Sequence, residues 1–259
     1  MGSPPTRTPQ AGAPFETALS LLQRRERIHA LSTGSPELDS LIGGLEPGLF
    51  YLFYGTEDGG LPDGLLLRLL VEAVRRGKAI HVVCGNYRRS RTVLDSERLL
   101  SLVEEAGLDA DHALSRIHIV CAFSQRHLIR APGLVEEILG RVEGIALVAV
   151  QQLTKLFYGR LALRHEDPAE FTGVVSRLRE LCCERGFALA ASCRPSGRGG
   201  PVPAPEGGSF LRHAANAIVY MRSPRSGGTV SAYLVKHPDS ARSGRMVRFG
   251  GEEGSAWEG

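Results

Sequence analysis

From residue 49 onward, short apolar runs alternate with longer stretches of helical period. The runs are LFYLFY (49–54), AIHVVC (79–84), RIHIVCAF (116–123), IALVAV (145–150) and FALAAS (187–192). They are nearly continuous in apolar residues, which predicts strands covered on both faces and therefore a mostly parallel central sheet flanked by helices, an α/β fold. The first covering helix is predicted over Asp63 to Arg76, where Arg68, Glu72, Arg75 and Arg76 carry the polar side chains and the remaining surface is apolar. A second is predicted from about Pro168 to Arg185, with Cys182 and Cys183 as core-facing or half-buried thiols. Further on, NAIVYMR, TVSAYLVK and RMVRF alternate in polarity and are joined by SPRSGG, which predicts C-terminal antiparallel strands extending the sheet.

The two ends of the chain have a different pattern. Residues 1–14 are rich in Pro, Gly, Ser and Thr and are expected to be a disordered tail, because they cannot bury enough apolar surface to offset ordering entropy. Residues 15–30 begin with FETALSLLQRRERI, which places Leu19 and Leu22 on one helical face and predicts an amphipathic arm. The core is assigned to 31–250 and a C-terminal tail to 251–259.

Composition narrows the picture only slightly. Of the 259 residues 42% are hydrophobic, enough for one main domain. A net charge of +3 is too small to predict nucleic-acid binding in bulk, so any such contact must come from local arginines. Five cysteines, at 84, 121, 182, 183 and 193, form no C-x-x-C pair and have no histidine at metal-ligand spacing, so buried free thiols and no metal are expected. No stretch approaches the roughly 20 apolar residues of a membrane span, and the first residues lack the apolar centre of a signal peptide. A cytoplasmic protein without membrane partners is expected.

The stretch YGTEDGGLPDG, residues 54–64, holds the most informative chemistry. Gly55 and Gly60 keep the G-x-x-x-x-G frame of a phosphate-binding loop, but Leu61 and Pro62 stand where Lys and Ser/Thr would follow. Leu61 brings no ammonium to a phosphate. Pro62 removes both a hydroxyl and an N–H, although it suits the first turn of a helix. Glu57, Asp58 and Asp63 crowd the same helix start, with no Lys or Arg between Gly55 and Leu67. These carboxylates would satisfy the positive end of the helix internally and repel a triphosphate. By itself the loop also reads as an ordinary glycine-rich turn.

Three longer segments extend this reading. STGSPELDSLIGG (32–44), GLDADHALSRIHIVCAFSQRH (107–127) and EGGSFLRHAANAIVYMR (206–222) keep their order and spacing, and together the chain resembles the archaeal RadA and eukaryotic recombinase family from about Phe15 to Gly254. The resemblance implies a RecA-like ATPase core. In that register Asn86 replaces the glutamate that would activate water, and an amide is no general base at neutral pH. Gln151 stands at the acidic position near magnesium, and Cys193 stands roughly where an amide senses the terminal phosphate. The resemblance therefore implies a degenerate ATPase that is not an enzyme and has no cofactor.

What the resemblance leaves intact is contact with other molecules. Phe15 and Ala18 match the family's F-x-x-A segment, by which one protomer docks on the next; the alternative is that Phe15 staples the arm to its own domain. The acceptor surface would lie near Val83, Val120 and Ala122, which equally suit a sheet core. Arg160 and Arg164, then Arg194 and Arg198, fall in the two segments that correspond to the family's DNA-facing loops and are candidates for phosphate contact or for plain solvation. Lys236 lies near the segment that reaches a neighbour's ATP, or is a plain strand-end lysine. The expected function is that of a non-catalytic recombinase paralogue. Its partner would be a RadA-type recombinase, with single-stranded DNA and a homo-oligomer as additional candidates. An ATPase with an atypical loop and a self-associating RecA-fold scaffold are the rival readings.

Overall fold

The computed structural model describes residues 30–55, 60–85, 94–158, 168–196, 200–223 and 229–250. In chain order the elements are α1 (Pro36–Ile42), β1 (Phe50–Gly55), α2 (Gly60–Arg76), β2 (Lys78–Cys84), α3 (Ser96–Glu105), α4 (Ala110–Leu114), β3 (Ile117–Ala122), α5 (Gln125–Arg141), β4 (Ile145–Gln151), α6 (Ala169–Arg185), β5 (Ala188–Cys193), α7 (Gly208–Ala214), β6 (Ala217–Arg222), β7 (Val230–Lys236) and β8 (Met246–Phe249). The strands form one sheet in the order β3-β2-β4-β5-β1-β6-β7-β8.

The apolar runs become the central strands for the expected reason. All six residues of β1 are buried, with Tyr51 and Phe53 facing α1 and α2 while Phe50, Leu52 and Tyr54 face α6 and α7. Each such side chain contributes roughly 1.5–3 kcal/mol on burial. Helix α2 buries Leu65, Leu66, Leu69 and Leu70 against the first face and turns Arg75 and Arg76 outward. On the second face α6 buries Phe171, Val174, Val175 and Leu178. Short caps fix the ends: the Ser35 hydroxyl accepts from the Leu38 N–H at the start of α1, and Gly43 closes that helix at φ 79°, where a β-carbon would be strained.

Three expectations are corrected. The segment NAIVYMR pairs parallel to β1, and only the β6–β7 and β7–β8 pairs are antiparallel. The reason is the intervening α7, which returns the chain to the far end of the sheet before β6 begins. Helix α2 starts at Gly60 instead of Asp63, because Pro62 is accommodated in its first turn. Finally, Cys121 and Cys183 are exposed, whereas Cys84, Cys182 and Cys193 are buried. Cys121 lies on β3, which among the described residues is an edge strand, so an apolar run there has a neighbour on one side only. On this edge strand Val120 and Ala122 are core residues, as is Val83 on the adjacent β2, and the exposed side chains are Ile119 and Cys121.

Candidate functional site

Strands β1, β4 and β5 run side by side in one direction, so their C-terminal ends meet under the start of α2. In open α/β sheets this is where a ligand crevice forms. Leu61 and Pro62 are buried in the first turn of α2, and Asp63 follows them. The Asp63 carboxylate accepts three hydrogen bonds from the strand ends below it. Ser192 Oγ donates to Oδ1 at 2.5 Å, Gln152 Nε2 to Oδ2 at 2.8 Å and Gln151 Nε2 to Oδ2 at 3.3 Å.

The donors are themselves held in place. The Gln152 N–H donates to Ser192 Oγ at 2.7 Å, and the Leu153 N–H donates to the Ser192 carbonyl at 2.9 Å. Gln152 has φ 54°, a left-handed conformation that costs a non-glycine residue roughly 1–3 kcal/mol unless its surroundings hold it. The two bonds to Ser192 and the one to Asp63 do so. Burial pushes the Asp63 carboxyl above its usual range, while the Ser192, Gln152 and Gln151 bonds and the Lys155 charge pull it part of the way back.

One strand over, on the same face as Asp63, His81 is completely buried. Burial lowers its imidazole to about 4, and Gln151 beside it opposes that shift from outside hydrogen-bonding geometry. Both His81 ring nitrogens and the side-chain oxygens of Gln151 and Gln152 lack a partner among the described residues. Cys84 ends the same strand, its thiol pushed up to about 12 by burial. Among the described residues no group of three His, Cys, Asp or Glu is placed to hold a metal ion, and no helix is long and apolar enough to cross a membrane.

No family model matches the chain. It is 26% identical over 263 aligned residues to the DNA repair and recombination protein RadA of Methanococcus voltae, covering 91% of this chain and 80% of that one. It is 24% identical over the same span to RadA of Methanococcus maripaludis strain C5. A crystal structure of the RadB recombinase superposes with a TM-score of 0.71 at 24% identity, covering 86% of this chain and 97% of the other. The chain is thus similar to RadA recombinases over most of its length and shares the fold of a RadB recombinase.

In this RadA-like chain the predicted site residues separate into distinct places. Gln151 joins Asp63, but Cys193 points to the opposite face of the sheet, where burial raises its thiol well above the usual range and Glu206 lies nearby. Gly55 pairs with Met221 of β6, and a β-carbon on it would stand 2.4 Å from the Met221 carbonyl oxygen. Close approach of two strands is therefore enough to require that glycine. Gly60 is the first residue of α2. Lys236 donates to the carbonyls of Arg212 (2.9 Å), His213 (3.3 Å) and Ala215 (2.6 Å), closing the C-terminal end of α7. Phe15, Ala18, Asn86, Arg160, Arg164 and Arg198 lie outside the described residues.

Arg194 starts a segment that folds back on itself. Its carbonyl accepts from the Glu206 N–H, and the Ser196 N–H donates to Ala204. The Glu206 carboxylate then accepts from Thr154 Oγ1 at 2.5 Å, linking this segment to the turn after β4, while Tyr54 OH donates to Pro203 at 2.7 Å. Burial raises Glu206, opposed by the Thr154 bond and the Arg194 charge. Sequence reasoning missed Ser192, Gln152 and His81. The available signal was their position: a serine and a second glutamine at the ends of two strands predicted to flank the phosphate-loop strand.

Proposed function

We propose that this chain is a non-catalytic recombinase paralogue that binds a RadA-type recombinase and modulates filament assembly. Its relatedness to RadA and RadB recombinases supports a role in recombination and repair. The observation that carries the non-catalytic reading is the Asp63 carboxylate, hydrogen-bonded to Gln151, Gln152 and Ser192. A magnesium nucleotide would bring negative charge to this helix start, and the described residues meet it with a carboxylate, an aliphatic Leu61 and a Pro62 without an N–H. The residues present do not fit the group. Gln151 donates its amide inward and offers no carboxylate to a metal.

Contact with the recombinase is assigned to the arm carrying Phe15 and Ala18, and contact with single-stranded DNA to Arg160, Arg164, Arg194 and Arg198. Lys236 could meet a neighbour's phosphates only by releasing the three carbonyls of α7. Co-elution of the chain with a RadA recombinase tests the reading, with Phe15→Ala as the control. Complex formation that the substitution abolishes is expected. Stable homo-oligomers that ignore the recombinase would replace this reading with a scaffold, and magnesium-dependent ATP hydrolysis by the purified chain would replace it with an atypical ATPase.

A further inference from the structure

Among the described residues the sheet ends on β8, which has a neighbour on one side only. The Leu234 N–H donates to the Arg245 carbonyl, and the register pairs Ala232 with Val247 and Val230 with Phe249. In an antiparallel pair the bonded rungs alternate, so the N–H and C=O of Met246 and Arg248 point away from β7. The edge thus offers a short row of main-chain donors and acceptors.

The side chains give this edge a chemical character. Phe249 and Val247 turn toward the α1 side of the core, whereas Met246 is 42% exposed and Arg248 is exposed on the other face. One row there runs Tyr54, Tyr220, Tyr233, with ring centroids 5.1 and 5.9 Å apart, and ends at Met246. The next row runs Arg222, Ser231, Arg248, with both arginines exposed. Strands β6, β7 and β8 contain Arg222, Lys236 and Arg248 and no Asp or Glu. Lys236 is engaged by α7, and neither Arg222 nor Arg248 pairs with a carboxylate among the described residues. A second copy of the chain would set like charges against each other across this edge, which disfavours self-pairing.

We propose that the β8 edge accepts an extended acidic segment of a partner protein as a further strand. Main-chain bonds at Met246 and Arg248 would provide the attachment. On the exposed face the added strand would place an apolar side chain beside Met246 and, two residues along, a carboxylate beside Arg248, with Arg222 two strands further in adding to the positive charge of that row. This surface is separate from the Asp63 cluster and does not depend on the recombinase reading.

The test uses a fluorescein-labelled peptide of about seven residues, Val and Thr with Glu at alternate positions of one face, followed by anisotropy against the full chain. The same peptide with Lys for Glu and a labelled oligothymidylate are the comparisons. Binding of the Glu peptide alone is expected, weakened about tenfold or more by Arg248→Glu, and also by Arg248→Pro, which removes an outward N–H and no ladder bond. Indifference to Arg248→Pro, equal binding of the Lys peptide, or no binding of the Glu peptide would overturn the proposal. Oligothymidylate binding lost in Arg248→Glu would overturn it in favour of a nucleic-acid surface.

Discussion

The centre of the sheet and its last strand treat their polar groups in opposite ways. Under the start of α2, a carboxylate, two amides and a hydroxyl are turned toward one another, and a lysine elsewhere closes its own α7. Along β8, main-chain groups and Arg248 face outward without a further partner strand among the described residues. In a fold whose ligands usually sit at the strand ends, the Asp63 carboxylate there is hydrogen-bonded within the chain, while described main-chain groups at the periphery are left open. That contrast makes a role through surfaces more economical than one through a pocket, and it can be attacked at either end.

The largest effect is expected from Asp63→Ala. It leaves the Ser192 hydroxyl and the Gln151 and Gln152 amides without an acceptor, and each buried unsatisfied group costs about 1–3 kcal/mol. Urea unfolding should register a loss of about 3 kcal/mol or more, with Asp63→Asn losing less because its amide oxygen still accepts. If Asp63→Ala unfolds at the wild-type midpoint, the centre is not held by this cluster.

The pH dependence should show two opposed contributions from the same place. His81 titrates near 4 when folded and near 6.5 when unfolded, so the unfolded chain binds the proton first and stability falls as pH drops from 6.5 to 4. The loss attributable to this group is about 3 kcal/mol, and urea melts of His81→Leu across that range should lack it. Asp63 acts in the other direction. Its folded carboxyl is raised, so the native state binds the proton more tightly, and wild type should gain stability relative to Asp63→Asn as pH falls through the raised value toward 3.8. A stability difference between those two chains that stays constant with pH would mean that the carboxylate is better solvated than its position implies.

The fold was legible because apolar runs report burial on both faces directly. LFYLFY and IALVAV could hardly be anything but inner strands, and β1 and β4 lie next to β5 as such runs require. Edges were less legible: RIHIVCAF reads as an inner strand, yet β3 has one neighbour among the described residues and exposes Ile119 and Cys121. The site was legible only in part. That Leu61 and Pro62 stand in the first turn of α2 could be anticipated from the sequence, but not that Asp63 takes up the donors of Gln152 and Ser192, which are 89 and 129 residues away. Gly55 carries a related lesson, since a glycine that marks a phosphate loop in sequence is also required by the Met221 carbonyl beside it.

Lys236 tests whether the sealed character extends beyond Asp63. Lys236→Ala frees the last carbonyls of α7, and the expected loss is about 1–2 kcal/mol, read from the urea midpoint. No loss would indicate that the lysine is available for a partner, and would move it from the closed side of the comparison to the open one.

The smallest effect belongs to the edge, and its value lies in being small. Arg248→Pro removes an N–H that points away from β7, so unfolding should move by less than about 1 kcal/mol. Val247→Pro, one residue earlier, removes an N–H from a bonded rung with Ala232 and leaves a carbonyl unpaired, which should cost about 1–3 kcal/mol. The pair of melts therefore reads the direction of the β8 main chain without any ligand. Equal losses would mean that both faces of the strand are already paired, leaving no room for another strand. A large loss at 247 with almost none at 248 would establish the open edge on which an added strand depends.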